Sequence, residues 1–173
     1  MHIKNFEFKV AVKDSKAAEE KLLALHPKFI GEDHQVDTYF NVPEGRLKLR
    51  EGNIENALIW YQREDAASAK LSDILLYSHQ NDEALKAILI KLHGIKVIVD
   101  KKRRIYFIDN VKFHFDEVQG LGSFIEVEAI DTGKINLDRL KMQCDSYASF
   151  FDIAPSQYIS NSYSDMLIEK KGS

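Results

Sequence analysis

The chain is poor in what staples, anchors or labels a protein. Its single cysteine, Cys144, excludes an internal disulfide and fits a reducing compartment. No apolar run approaches the roughly 18–20 residues of a membrane span, and the N-terminus lacks a signal-peptide core, so a cytoplasmic protein without a membrane partner is expected. There is no basic excess: the formal net charge is −3, which argues against a protein built to coat nucleic acid. No Walker loop, Rossmann glycine fingerprint, zinc spacing or nucleophile elbow is present, and no repeat, low-complexity tract or linker. What remains is 173 residues with 45% hydrophobic and 29% charged side chains, the balance of one globular domain spanning residues 1–173.

Alternation of apolar and polar residues is the dominant signal. Residues 5–10 (NFEFKV) put Phe6, Phe8 and Val10 on one strand face and Glu7 and Lys9 on the other. Residues 35–40 form a second strand that places Asp37 with Tyr39, and the turn-forming Asn41–Gly45 leads into Arg46-Leu47-Lys48-Leu49-Arg50. Further strands are expected at 57–63, 71–77, 97–107, 111–116 and 124–128, with 64–70 a loop. Helices are expected near 16–25, 82–92, 136–152 and 162–169; the third carries Leu137, Leu140, Cys144, Tyr147 and Phe151 at helical spacing. The order predicts an α+β domain of mainly antiparallel strands.

The polar strand faces carry full charges almost throughout. Grouped by parity they hold five acids (Glu7, Asp37, Asp116, Glu126, Glu128) and seven bases (Lys9, Arg46, Lys48, Arg50, Arg63, Lys101, Arg103). A solvated outer face is the ordinary source of alternation. The apolar faces, however, need helices to cover them. If the sheet closes into a barrel with helices outside, the charged faces become its interior. Such an interior is tolerable only if wet and mostly paired. Its surplus of cations suits a polyanion, and its carboxylates suit Mg²⁺ or Mn²⁺, hard cations that bridge to phosphates. Lys102 and Arg104 have the wrong parity for that interior. His34, His114 and Tyr39 are left outside the predicted site, and Trp60, Phe113 and Cys144 read as core.

Several segments in order carry a family resemblance: Asn5-x-Glu7-x-Lys9, His34 to Phe40, Gly45 to Arg50, Asp100 to Tyr106, and Asp116-x-Val118-x-Gly120-Leu121-Gly122-x-Phe124-Ile125-Glu126-Val127-Glu128. Together they resemble the CYTH superfamily of triphosphate tunnel metalloenzymes, in its class IV adenylate cyclase-like branch. The family pattern opens with Glu-x-Glu-x-Lys, and Asn5 replaces the first acid. The resemblance implies a closed or nearly closed antiparallel barrel, a triphosphate tunnel, with helices outside. It implies a metal group of Glu7, Asp116, Glu126 and Glu128. It also implies a triphosphate-binding set of Lys9, Arg50, Arg63, Lys101 and Arg103, with Arg46 and Lys48 extending the wall. Lys9, Arg50 and Lys101 are the expected catalytic cations. The implied activity is metal-dependent conversion of ATP to cyclic AMP and pyrophosphate. The alternatives are hydrolysis of thiamine triphosphate, inorganic triphosphate or a nucleotide, and binding without turnover. The expected partner is a small-molecule triphosphate, with no nucleic acid, bound by a monomer or homodimer.

Overall fold

The computed structural model describes residues 1–63, 70–80, 82–131, 133 and 136–172, with the side chains of Arg63 and Lys70 excepted. Eight strands run in the order β1 (His2–Val12), β2 (Lys28–Phe40), β3 (Arg46–Glu51), β4 (Ala57–Arg63), β5 (Lys70–Ser78), β6 (Ile95–Ile108), β7 (Val111–Val118) and β8 (Gly122–Ile130). They close into one barrel with neighbours β1-β5-β4-β3-β2-β6-β7-β8, and every pairing is antiparallel, β8 to β1 included. The expected loop over 64–70 lies outside the described residues, save Lys70, which begins β5.

The alternation does what its period requires. Phe8, Val10, Phe113, Phe115, Ile125 and Val127 point outward into the main core. Two helices cover that face, α1 (Ser15–Leu23) through Leu22 and α3 (Leu137–Phe150) through Leu140, Cys144 and Ala148. Asp14 caps α1, its carboxylate accepting from the Lys16 and Ala17 N–H groups. A third helix, α2 (Glu83–His93), sets Leu85 and Leu89 on Phe40, Leu47, Leu49 and Leu58 outside β2–β4. In the β2–β3 turn Gly45 takes φ 67°, and a Cβ there would come within 2.8 Å of the Trp60 ring.

After a short 3₁₀ turn at Pro155–Gln157, α4 (Tyr163–Gly172) docks across one end of the barrel. Its Tyr163 packs with Tyr39, Val97, Val99, Val118 and Phe124, which fill that end. The segment 52–56 between β3 and β4 also enters the interior. Asp33, fully buried, accepts hydrogen bonds from the Ile54 and Glu55 N–H groups (2.9 and 3.0 Å) and from Gln35 Nε2 (2.7 Å). No described helix is long and apolar enough to cross a membrane.

Candidate active site

Barrel closure turns the charged faces inward around a cavity of about 510 Å³. Register decides which charges meet. Across β1, β8 and β7 one row reads Lys9, Glu126, His114 and the next reads Glu7, Glu128, Lys112. Of the described side chains lining the cavity, the cations are Lys9, Lys48, Arg50, Lys101, Arg103 and Lys112. The lining carboxylates are Glu7, Glu55, Glu126 and Glu128. Asp37 and Asp116 stand behind this surface, both fully buried.

Asp37 organises the first cluster. Its carboxylate accepts from Lys48 Nζ (3.0 Å), Arg50 Nε (2.8 Å), Arg50 Nη2 (2.9 Å) and Lys101 Nζ (2.9 Å). Burial alone would raise its pKa, but Arg50, Lys101 and Lys48 together hold it well below the usual carboxylate range. The Lys101 pKa also falls, but in its case the shift disfavours the charged form. Burial, opposed by Asp37 and reinforced by Arg50, Arg103 and Lys48, brings its ammonium down to about 7.

Arg103 organises the second cluster. It binds Asp116 through Nε (2.7 Å) and Nη2 (2.6 Å), and Nη2 also reaches Glu126 (2.7 Å). Tyr163 donates its hydroxyl proton to Asp116 at 2.8 Å and sets its ring 4.2 Å from Lys9 Nζ. Glu55 bridges a third group: it accepts from Arg50 Nη1 and Gln35 Nε2 (3.0 and 3.1 Å) and pairs with Lys112.

The structure sorts the predicted residues. Glu7, Lys9, Lys48, Arg50, Lys101, Arg103, Glu126 and Glu128 line one cavity. Arg46 does not line it; its guanidinium pairs with Asp165 at 2.8 Å. The Arg63 side chain lies outside the described residues. Asp116 is committed to Arg103 and Tyr163. Lys102 is exposed and Arg104 binds Glu19 on the outside, as parity required. His34 pairs with Asp100 on the outer face.

Sequence reasoning missed four contributors: Lys112, His114, Glu55 and Tyr163. The first two share the parity of Asp116, and that parity was the available signal. The donor atoms of His114, Glu126 and Glu128 lie within 4.8 Å of one another. Burial, then Arg103 and Lys112, push His114 down to about 3, leaving a neutral imidazole. Burial, then Glu126, pushes Glu128 up to about 7. Neither ring nitrogen of His114 has a hydrogen-bond partner, and the nearby carboxylates are hard oxygen donors, so this corner fits a divalent cation.

The cavity is not charged throughout. Ile3 opposes Ile74 and Ile59 opposes Leu76 in the ladders, giving a continuous apolar patch on β1, β5 and β4. Ile54 and Ile130 also line the cavity, with Ser72, Ser78 and His79.

A closed eight-stranded barrel with a cationic and carboxylate interior defines a triphosphate-tunnel type of protein. Residues 4–146 match the CYTH domain, and this chain belongs to that family. An Aeromonas hydrophila protein named adenylate cyclase CyaB is 25% identical over 91% of this chain and 85% of its own length. The PH1012 protein of Pyrococcus horikoshii superposes with a TM-score of 0.79 at 24% identity, covering 93% of this chain and 98% of that one. The Schizosaccharomyces pombe Pct1 RNA triphosphatase shares the fold more distantly, with a TM-score of 0.52 at 11% identity over 87% and 80% of the two chains.

Proposed function

We propose that this protein is a divalent-metal-dependent enzyme acting on an organic triphosphate, most like a class IV adenylate cyclase. The observation that carries the reading is the division of the cavity. A cationic wall of Lys9, Arg50, Lys101 and Arg103 is continuous with an apolar chamber built on Ile3, Ile59, Ile74 and Leu76. A bare tripolyphosphate would use the first half and leave the second unfilled. A nucleoside triphosphate uses both, its base against the isoleucines and its phosphate chain on the cations.

In this reading Lys9, Arg50 and Lys101 hold the phosphate chain and neutralise charge developing on it, the main requirement of phosphoryl and nucleotidyl transfer. Attack of the ribose 3′-hydroxyl on the α-phosphorus forms the cyclic ester, breaks the bond to the bridging oxygen and releases pyrophosphate. Glu126 and Glu128, with Glu7 opposite Glu128 in the ladder, would hold a divalent ion supplying further charge neutralisation. Tyr163 and Asp116 fix Arg103, and Asp37 fixes Arg50 and Lys101, so the cations are set before substrate arrives.

The test is incubation with Mg²⁺ or Mn²⁺ and ATP, thiamine triphosphate or tripolyphosphate, reading products. Cyclic AMP with pyrophosphate is the expected result. Orthophosphate release would reassign the tunnel to triphosphate hydrolysis, and binding without turnover would make it a receptor. Arg50→Ala and Glu126→Ala should each remove turnover with the fold retained; full activity in both would sink the site assignment.

A further inference from the structure

We propose that His114, Glu126 and Glu128 form a mixed nitrogen–oxygen site for a divalent first-row transition ion, with the imidazole as a direct ligand. The site therefore favours ions such as Mn²⁺ or Co²⁺ over Mg²⁺. This deepens the proposed function by identifying the class of its metal. It stands on residues of this chain whose geometry is independent of any substrate.

The site is assembled by the sheet register. His114 on β7 directly opposes Glu126 on β8, and Glu128 lies two residues further along the same strand face. His114 Nδ1 is 3.5 Å from Glu126 Oε2 and 3.6 Å from Glu128 Oε1. Those separations are too long for good hydrogen bonds. They are close to the roughly 3 Å between adjacent ligands of an ion with bonds of about 2.1 Å. Small side-chain rotations would bring all three donors onto one centre.

The imidazole has no other employment. At 1% exposure it is among the most buried side chains of the barrel, yet both ring nitrogens lack a hydrogen-bond partner. Leaving a buried polar group unsatisfied carries its full desolvation cost. An apolar side chain would fill the position without that cost. Asn5, where the family pattern has an acid, brings no charge, and its buried Oδ1 is likewise without a hydrogen-bond partner. Asn5 lies in a different row, opposite Ile130, so His114 with Glu126 and Glu128 forms a corner of its own.

Donor type then sets the preference. Carboxylate and water sets suit Mg²⁺, whereas an imidazole nitrogen favours transition ions, with affinity rising from Mn²⁺ to Co²⁺. The surroundings temper the affinity. Arg103 donates to Glu126 Oε2 at 2.7 Å, Lys9 stands 3.9 Å from Glu126 Oε1, and Lys112 opposes Glu128 in the ladder. These cations compete with a metal ion, so the discriminating quantity is the ratio between ions rather than absolute affinity.

The experiment is calorimetric titration of the metal-free full chain with Co²⁺, Mn²⁺ and Mg²⁺ separately, with no phosphate present. Pulsed EPR of the Mn²⁺-loaded protein accompanies it. The expected result is Co²⁺ binding at least about tenfold tighter than Mg²⁺, with nitrogen modulation on the Mn²⁺ signal. His114→Gln should cut Co²⁺ affinity by at least about tenfold, since even outer-sphere partners carry about 10- to 100-fold, and should erase the modulation. Equal Co²⁺ and Mg²⁺ affinity, no binding, or no nitrogen modulation in the wild-type protein would each overturn the proposal. The EPR result needs no variant, so poor folding of His114→Gln leaves the test intact. Because phosphate is absent, failure here is distinguishable from failure of the triphosphate reading, which product analysis tests separately.

Discussion

Replacing Asp37 by Asn isolates the electrostatic logic of the tunnel. The amide matches the carboxylate in size, so packing is preserved while one buried charge vanishes. Four hydrogen bonds from three cations converge on that carboxylate. Removing one partner of a buried ion pair costs about 3–5 kcal/mol, because the remaining charges stay desolvated and uncompensated. Against a total stability of about 5–15 kcal/mol, the loss is a large fraction, equivalent to roughly 6–20 °C in Tm. Lys101 provides partial relief. Its pKa is already brought to about 7 with Asp37 present, and without Asp37 it falls further. The unfolded value is the same for both proteins, so the Lys101–Asp37 attraction is lost in full only where Lys101 is protonated in both folded states. The deficit of the variant is therefore greatest between about pH 5 and 6, shrinks as pH rises towards 7 and levels off above it; below about pH 4 it shrinks again, because Asp37 is then protonated in the unfolded wild-type chain and the stability its folded carboxylate supplies is lost. Urea unfolding followed by circular dichroism across this range measures it. A deficit below about 1 kcal/mol at every pH would mean that the three cations are hydrated, and the buried-cluster reasoning would fail.

Other perturbations probe the core, the Asp33 tether and the barrel wall separately. Burial pushes the Cys144 thiol up to about 12, so a thiol reagent at pH 8 should leave the native protein unlabelled and react fully only after unfolding. A methyl group at Gly52 would meet Asp33 Oδ1 and the Glu55 carbonyl oxygen at 2.7 Å; Gly52→Ala should cost about 1–3 kcal/mol in thermal unfolding, and an unchanged Tm would show that Asp33 does not tether that segment. Arg46→Ala should keep turnover within about threefold of wild type, because Arg46 pairs with Asp165 away from the cavity lining, whereas Arg50→Ala should lose about a hundredfold or more. Equal losses in the two would return Arg46 to the binding wall.

The strands that bound the site were legible because one face of each is apolar. Leu47 and Leu49 between Arg46, Lys48 and Arg50, or Phe113 and Phe115 between Lys112, His114 and Asp116, fix parity without tertiary information. The first half of β2 was not legible. From Glu32 to Gln35 the inward residues Asp33 and Gln35 are polar, and the outward Glu32 and His34 are polar too, so no alternation marks the strand. Glu55 enters the cavity from a segment without periodicity, held by backbone hydrogen bonds to Asp33 that only the folded barrel creates. Tyr163 reaches Asp116 because of where α4 docks, which helical periodicity does not encode. His114 has the right parity, but a single histidine carries little signal by itself. Its meaning lies in its ladder neighbour Glu126.

In the proposed function Arg50 and its neighbours form a cradle for a triphosphate chain. Equilibrium binding of a non-hydrolysable ATP analogue to wild-type protein and to Arg50→Ala, with Mn²⁺ present and ionic strength varied, tests it most directly. The expected result is saturable binding that weakens with salt and falls at least about tenfold in Arg50→Ala, the loss of one or two charge-assisted hydrogen bonds at about 1.5–3 kcal/mol each. Absence of binding, or equal affinity in the two proteins, would contradict it.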